Sequence, residues 1–243
     1  MSGHKPVMIR KFVHDEDVHV WTTTLQVPSV SFDACWRLLS FDERRRADAF
    51  SFSKHRRRYV VAHGLLRRLL GRYIGHPPHA LNFQAERYGK PRLVTGTTIE
   101  FNLSHSHEHA SIAVATRPVG VDMEFARPLH NAGALATRLF SPSEAEALEA
   151  GGPENFIDRF YACWTRKEAY VKARGEGLSK ALDSFAVSVI PGDPRLIHDL
   201  TDPEAHRWSF RHLQFDSYIG AVVALGPVRR LTRVRWHESG VHW

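Results

Sequence analysis

The sequence is short of everything that would stabilise a secreted or membrane-bound chain. Its 243 residues hold two cysteines, Cys35 and Cys163, far apart and without CxxC spacing. That excludes a disulfide framework and a cysteine-based zinc site, and predicts free thiols in a reducing compartment, with Cys163 packed on its own helix. No run approaches eighteen apolar residues, and the N-terminus has no apolar signal core, which predicts a soluble, cytoplasmic protein. No internal repeat is evident. Acidic residues are outnumbered, 26 against 33 Lys and Arg, giving a formal charge of +7 with sixteen histidines besides. That balance favours a polyanionic partner, be it nucleic acid, a nucleotide or an acidic protein. With 43% apolar and 24% charged residues the chain is globular in composition and long enough for one sizeable core or two small ones.

One stretch organises the rest. Phe160 to Arg174 lies in a helix that Pro153 and Glu154 can open and that Gly175 and Gly177 can close. Phe156, Phe160, Trp164 and Val171 follow the spacing of a buried stripe, while Glu168 and Lys172, four apart, share an edge. Alone they read as an ordinary salt bridge. Val119-Gly-Val-Asp-Met-Glu-Phe125, however, alternates like a half-buried strand, so Asp122 and Glu124 share a face. Two adjacent carboxylates are tolerable around a cation. With Glu168 as third ligand the expectation is a hard ion, Mg²⁺ before Ca²⁺, and Met123 contributes nothing to it.

These residues carry a resemblance. Gly120-Val-Asp-Met-Glu124, then Trp164-Thr-Arg-Lys-Glu-Ala169 with Lys172, preceded by Tyr88-Gly-Lys-Pro91 and Phe101-Asn-Leu-Ser-His-Ser106, resemble the motifs of the 4′-phosphopantetheinyl transferases in order and spacing. The length suits the larger, monomeric, Sfp-like branch. The resemblance implies an α+β fold of two similar lobes related by a pseudo-twofold axis, here 1–115 and 116–243, with the site in the cleft between them. It implies coenzyme A as co-substrate, Mg²⁺, and apo acyl or peptidyl carrier proteins as partners. Metal ligands would be Asp122, Glu124 and Glu168. Lys172, Lys90, Ser104 and His105 would hold phosphate oxygens, Lys90 from an exposed turn. The rival classes are a metal-dependent phosphodiesterase or nuclease and a basic nucleic-acid binder; neither explains four motifs in this order.

Two further positions have both a local and a functional reading. Lys54, Arg56, Arg57 and Arg58 fall near the first turn of a long amphipathic helix running to Tyr73, where the helix dipole disfavours cations unless an anion is bound. The plain alternative is a solvated basic face; the resemblance assigns Arg58 to the 3′-phosphate of coenzyme A, with Lys54 as helper. Ser141-Pro-Ser-Glu144 fits a capping box. The resemblance makes Glu144 the base that takes the serine proton, so the expected catalytic set is Glu144, Glu168 and Lys172.

Elsewhere the pattern predicts a strand at Val18–Leu25 and short helices at Cys35–Leu39 and at Asp42–Phe50, the latter capped by Asp42. It predicts short strands at Phe83–Arg87, Pro91–Val94 and Thr98–Asn102, a strand from Ala110 to Ala115, and a helix at Ala132–Phe140. The histidines at 105, 107 and 109 alternate but sit among Ser104, Ser106 and Glu108, which suggests a loop or a helix start rather than a zinc face. Leu182–Ile190 reads as a strand, 191–206 as a loop, and Trp208–Phe215 with Ser217–Leu225 as a hairpin. Residues 1–10 read as a loosely tied start, and 228–243 as a frayed tail or an appended strand.

Overall fold

The computed structural model describes residues 13–94 and 96–236; the loosely tied start and the last seven residues of the tail lie outside them. In chain order the elements are β1 (Asp17–Thr24), α1 (Ser29–Leu38), α2 (Phe41–Asp48), α3 (Ser53–Ile74), β2 (Phe83–Ala85), β3 (Pro91–Leu93), β4 (Glu100–Ser106), β5 (His109–Ala115) and β6 (Val119–Phe125). There follow α4 (Ala132–Leu139), α5 (Pro142–Glu149), α6 (Pro153–Arg174), β7 (Ala186–Val187), β8 (Leu196–His198), β9 (Trp208–Phe215), β10 (Tyr218–Leu225) and β11 (Arg230–Trp236). The fold is α+β.

Two sheets lie face to face. One has the order β11-β1-β5-β4 and the other β6-β10-β9. Because successive strand side chains alternate, each sheet feeds two cores. Trp21, Ile112 and Val114 pack under α1 to α3 with Leu65, Leu69 and Leu70. Val18, Val20 and Ala113 turn the other way and meet Val119, Val121 and Val222 of the second sheet. Ile219, Ala221 and Val223 in turn face α6, with Tyr170, Ala169 and Phe160. The layers therefore run helix, sheet, sheet, helix. Cys35 and Cys163 are both buried and not joined by a disulfide, one in each outer core.

α3 and α6 are each 22 residues long and end on a glycine in the left-handed conformation, Gly75 at φ 70° and Gly175 at φ 69°. Gly120 is needed for a different reason. A Cβ there would lie 2.1 Å from the Ala169 carbonyl oxygen and 2.4 Å from the Ala173 nitrogen, so only glycine lets β6 run against α6. That contact puts the face of β6 carrying Asp122 and Glu124 beside Glu168 and Lys172.

Some local expectations change. The cap of α2 is Ser40, not Asp42: the Glu43 N–H donates to Ser40 Oγ (3.3 Å) and the Ser40 N–H to Glu43 Oε2 (2.8 Å). The strand expected to end at Asn102 continues to Ser106 and turns directly into β5, with His107 at φ 48° in the hairpin. The expected strand at Leu182–Ile190 shrinks to β7, and the expected loop beyond it contributes β8. The tail supplies β11, which pairs in parallel with β1. A division at 115/116 would place that strand with the second lobe, yet it completes the first sheet.

Candidate active site at the junction of the two sheets

β4 and β6 sit edge to edge without being ladder neighbours, and three β4 side chains of period two bridge them. Asn102 Oδ1 accepts from the Val121 N–H at 2.9 Å, Ser104 Oγ donates to Asp122 Oδ1 at 2.8 Å, and Ser106 Oγ donates to Glu124 Oε2 at 2.6 Å. The two serines thus fix the two carboxylates, and Asn102 ties the strands together. Neither Asn102 nor Ser106 was expected to act here; the signal was present, since the alternation becomes visible once the strand is allowed to run to Ser106.

The carboxylates open into a cleft of 360 Å³ lined by Leu103, Ser104, His105, Asp122, Glu124, Trp164, Glu168 and Lys172. Lys172 does not pair with Glu168, its neighbour one turn back. It reaches Asp122 Oδ1 at 2.5 Å and Ser104 Oγ at 3.3 Å. Burial raises the pKa of Glu124, and the charge of Asp122 raises it further; Glu168 is raised by the same two causes. Burial works against the charge of Lys172, but Asp122, Glu168 and Glu124 more than offset it, so its pKa is raised. Burial lowers the pKa of His105, helped by the fields of His63, Lys172 and Arg58, which keeps the imidazole neutral at neutral pH.

The donor set fits a hard cation. Among the described residues Asp122 Oδ2 is buried without a hydrogen-bond partner, and the crowded carboxylates beside the Lys172 ammonium carry negative charge in excess. Among the described residues no three His, Cys, Asp or Glu side chains stand together closely enough to hold a metal ion as placed. A second cavity of 650 Å³ adjoins the cleft, sharing Leu103 and His105, and is walled by Arg46, Tyr59, His63, Phe83, Gly89 and Pro91 among others.

Four expected site residues lie elsewhere, Lys90, Lys54, Arg58 and Glu144. Lys90 is not free in its turn: its Nζ donates to the carbonyls of Val119 (3.1 Å) and Ala173 (3.2 Å), tying the β2–β3 turn to the start of β6 and the end of α6. Burial lowers its pKa against the pull of Glu100 and Glu86. A turn lysine with two backbone carbonyls in reach satisfies its donors there, so Lys90 acts as a clamp. Lys54 and Arg58 line a separate depression of 480 Å³ with Arg57 and Glu108, and Arg58 forms an ion pair with Glu108.

Glu144 requires the largest correction. Its carboxylate is 1% exposed, ion-paired to Lys167 Nζ at 2.7 Å, and accepts from the Val187 N–H at 2.7 Å and from the N–H and Oγ of Ser141 at 2.8 Å each. It does not line the cleft. Lys167 and Glu168 are adjacent on α6 and so project about 100° apart, one into the core and one into the cleft. The capping box expected from sequence is present, and both oxygens of the carboxylate that completes it are engaged away from the cleft.

Two family models and several known proteins match the chain. Residues 118–223 match the family model described as the 4′-phosphopantetheinyl transferase superfamily, and residues 21–117 match the one described as 4′-phosphopantetheinyl transferase, N-terminal. The chain is 37% identical over 214 residues to the 4′-phosphopantetheinyl transferase HetI of Nostoc sp. (strain PCC 7120), covering 86% of this chain and 88% of that one. It is 33% identical over 155 residues to a 4′-phosphopantetheinyl transferase of Bacillus subtilis, covering 64% and 68%. A third relative, 4′-phosphopantetheinyl transferase Sfp of Bacillus subtilis strain 168, is 31% identical over 154 residues, covering 62% and 68%.

Proposed function

Since the chain belongs to the 4′-phosphopantetheinyl transferase superfamily, in its Sfp-like branch, we propose that it transfers the phosphopantetheine arm of coenzyme A to a serine of an apo acyl or peptidyl carrier protein and releases 3′,5′-ADP. The observation that carries this reading is the convergence of Asp122, Glu124, Glu168, Lys172 and His105 in one cleft that opens into a larger cavity. A diphosphate laid across the cleft would leave the base to the larger cavity, where the aromatic rings of Tyr59 and Phe83 suit it. No helix among the described residues is long and apolar enough to cross a membrane.

In the reaction the carrier serine oxygen attacks the phosphorus that bears the pantetheine. The new P–O bond forms as the bond to the bridging oxygen breaks, and that oxygen leaves on 3′,5′-ADP. The serine proton departs through a group that reaches the cleft, which Glu144 does not. Mg²⁺ held by Asp122, Glu124 and Glu168 would neutralise the diphosphate and the charge developing on the leaving oxygen. Lys172 stands beside Asp122, where its ammonium can take a phosphate oxygen as well, and the neutral His105 imidazole offers one N–H to another. The cleft positions and neutralises; the chemistry asks little more.

Mass spectrometry of an apo carrier protein incubated with this chain, coenzyme A and Mg²⁺ tests the reading. A gain of about 340 Da on the carrier is expected, and none without Mg²⁺. An unchanged carrier with hydrolysed coenzyme A would instead indicate a phosphodiesterase.

Arg58 remains the proposed reader of the 3′-phosphate, with Lys54 beside it, and to act so it must exchange Glu108 for the ligand. Arg58→Ala should raise KM for coenzyme A and reduce its preference over dephospho-coenzyme A by roughly ten- to a hundredfold, the worth of a charge-assisted hydrogen bond. An unchanged preference would leave Arg58 as the partner of Glu108 alone.

A further inference from the structure

We propose that Ser106 is a positioning residue for divalent cation binding, holding the Glu124 carboxylate in the rotamer that ligation requires; this rests on the metal-assisted reading of the cleft. Ser106 is 8% exposed at the end of β4. Its Oγ accepts from the backbone N–H of Phe125 at 3.2 Å, lies 3.4 Å from His107 Nδ1, and donates to Glu124 Oε2 at 2.6 Å. An oxygen pinned by one backbone N–H has its own proton directed elsewhere, and the acceptor within reach is the carboxylate one residue back on β6. The Glu124 side chain is thereby registered against its own backbone.

The neighbouring bridges have different duties. Asn102 joins backbone to side chain and touches neither carboxylate. Ser104 supports Asp122, but Lys172 binds the same oxygen, so that carboxylate has a second anchor. Among the described residues, Ser106 supplies the single hydrogen bond to the Glu124 carboxylate. A long, half-buried glutamate without it would lose rotamer order that the ion would then have to impose. Groups that orient metal ligands in this way typically change metal affinity by about 10–100-fold when removed.

The test is Mn²⁺ titration of the full-length protein by EPR, without carrier or coenzyme A, alongside thermal melting. Ser106→Ala should weaken Mn²⁺ binding by about ten- to a hundredfold while the melting temperature stays within a few degrees. It should also raise the Mg²⁺ concentration needed for half-maximal transfer, with kcat at saturating Mg²⁺ within a few-fold of the parent. Ser106→Thr, which keeps the hydroxyl and suits a strand, should bind Mn²⁺ like the parent. Parental Mn²⁺ affinity in Ser106→Ala would overturn the proposal, as would affinity lost only in step with stability. Should Ser106→Ala not fold, weakened binding in Ser106→Thr would overturn it equally. If the parent itself takes up no Mn²⁺, the metal-assisted reading fails first and takes the proposal with it.

Discussion

Glu168→Gln should abolish transfer, by at least a hundredfold, and leave the protein folded and no less stable. The first half follows from charge: an amide is a neutral, poorer ligand, and the stabilisation a cation gives to a phosphoryl transition state is worth several kcal/mol at about 1.4 kcal/mol per decade. The second half follows from the direction of the pKa shift. Glu168 has its pKa raised by burial and by Asp122. A raised carboxylate binds protons more tightly in the folded state than in the unfolded one, so its contribution to stability is present at low pH and is lost as pH rises from the unfolded value through the folded one. At neutral pH the Glu168 charge therefore opposes folding, and removing it relieves the repulsion. The same logic predicts that MgCl₂ raises the melting temperature of the parent and has little effect on the variant. Turnover within a few-fold of the parent at saturating Mg²⁺ would remove Glu168 from the site.

Glu144→Ala should produce the opposite pattern, a large loss of stability with turnover preserved in whatever remains folded. The substitution leaves the Lys167 ammonium buried without its counter-charge, and two backbone N–H groups, those of Ser141 and Val187, without an acceptor. Breaking a buried pair on one side costs about 3–5 kcal/mol. For a chain of this size that lowers the melting temperature by roughly 6–20 °C. Glu144→Gln should also lose stability, because the amide caps Ser141 but cannot neutralise Lys167. At a temperature where the variants stay folded, kcat should lie within a few-fold of the parent. A melting temperature like the parent's with kcat down a hundredfold would return Glu144 to the chemistry and contradict its burial.

What could be read from sequence follows the range of the rules used. β6 spans the residues that alternation indicated, Val119 to Phe125, and α6 starts at Pro153 and stops at Gly175 as its punctuation suggested. Those signals act within a turn or a strand. Asp122, Glu124, Glu168, Lys172, Ser104 and His105 do line one cleft. The residues found outside the cleft are ones whose partner lies far along the chain. Lys90 is held by Ala173, Arg58 by Glu108, and Glu144 by Lys167 and Val187. A capping box is visible four residues at a time; the lysine that fills its other side is not. β4 was cut short for a related reason: serine and histidine are weak strand signals, and these ones are held in the strand by groups on β6.

The parallel pairing of β11 with β1 bears on the order in which the molecule can be assembled. β1 is synthesised well before β11 and lies between β5 and β11, with Asp17 opposite Arg230 and Thr23 opposite Trp236. One of its edges must therefore stay unpaired while everything between is synthesised, and an open edge invites pairing with another chain. Loop closure over that separation is slow, so this pair belongs to the late events of folding. A nascent chain halted before Arg230 would carry its carboxylate cleft and long helices yet present a bare strand, making β11 a determinant of solubility during biosynthesis.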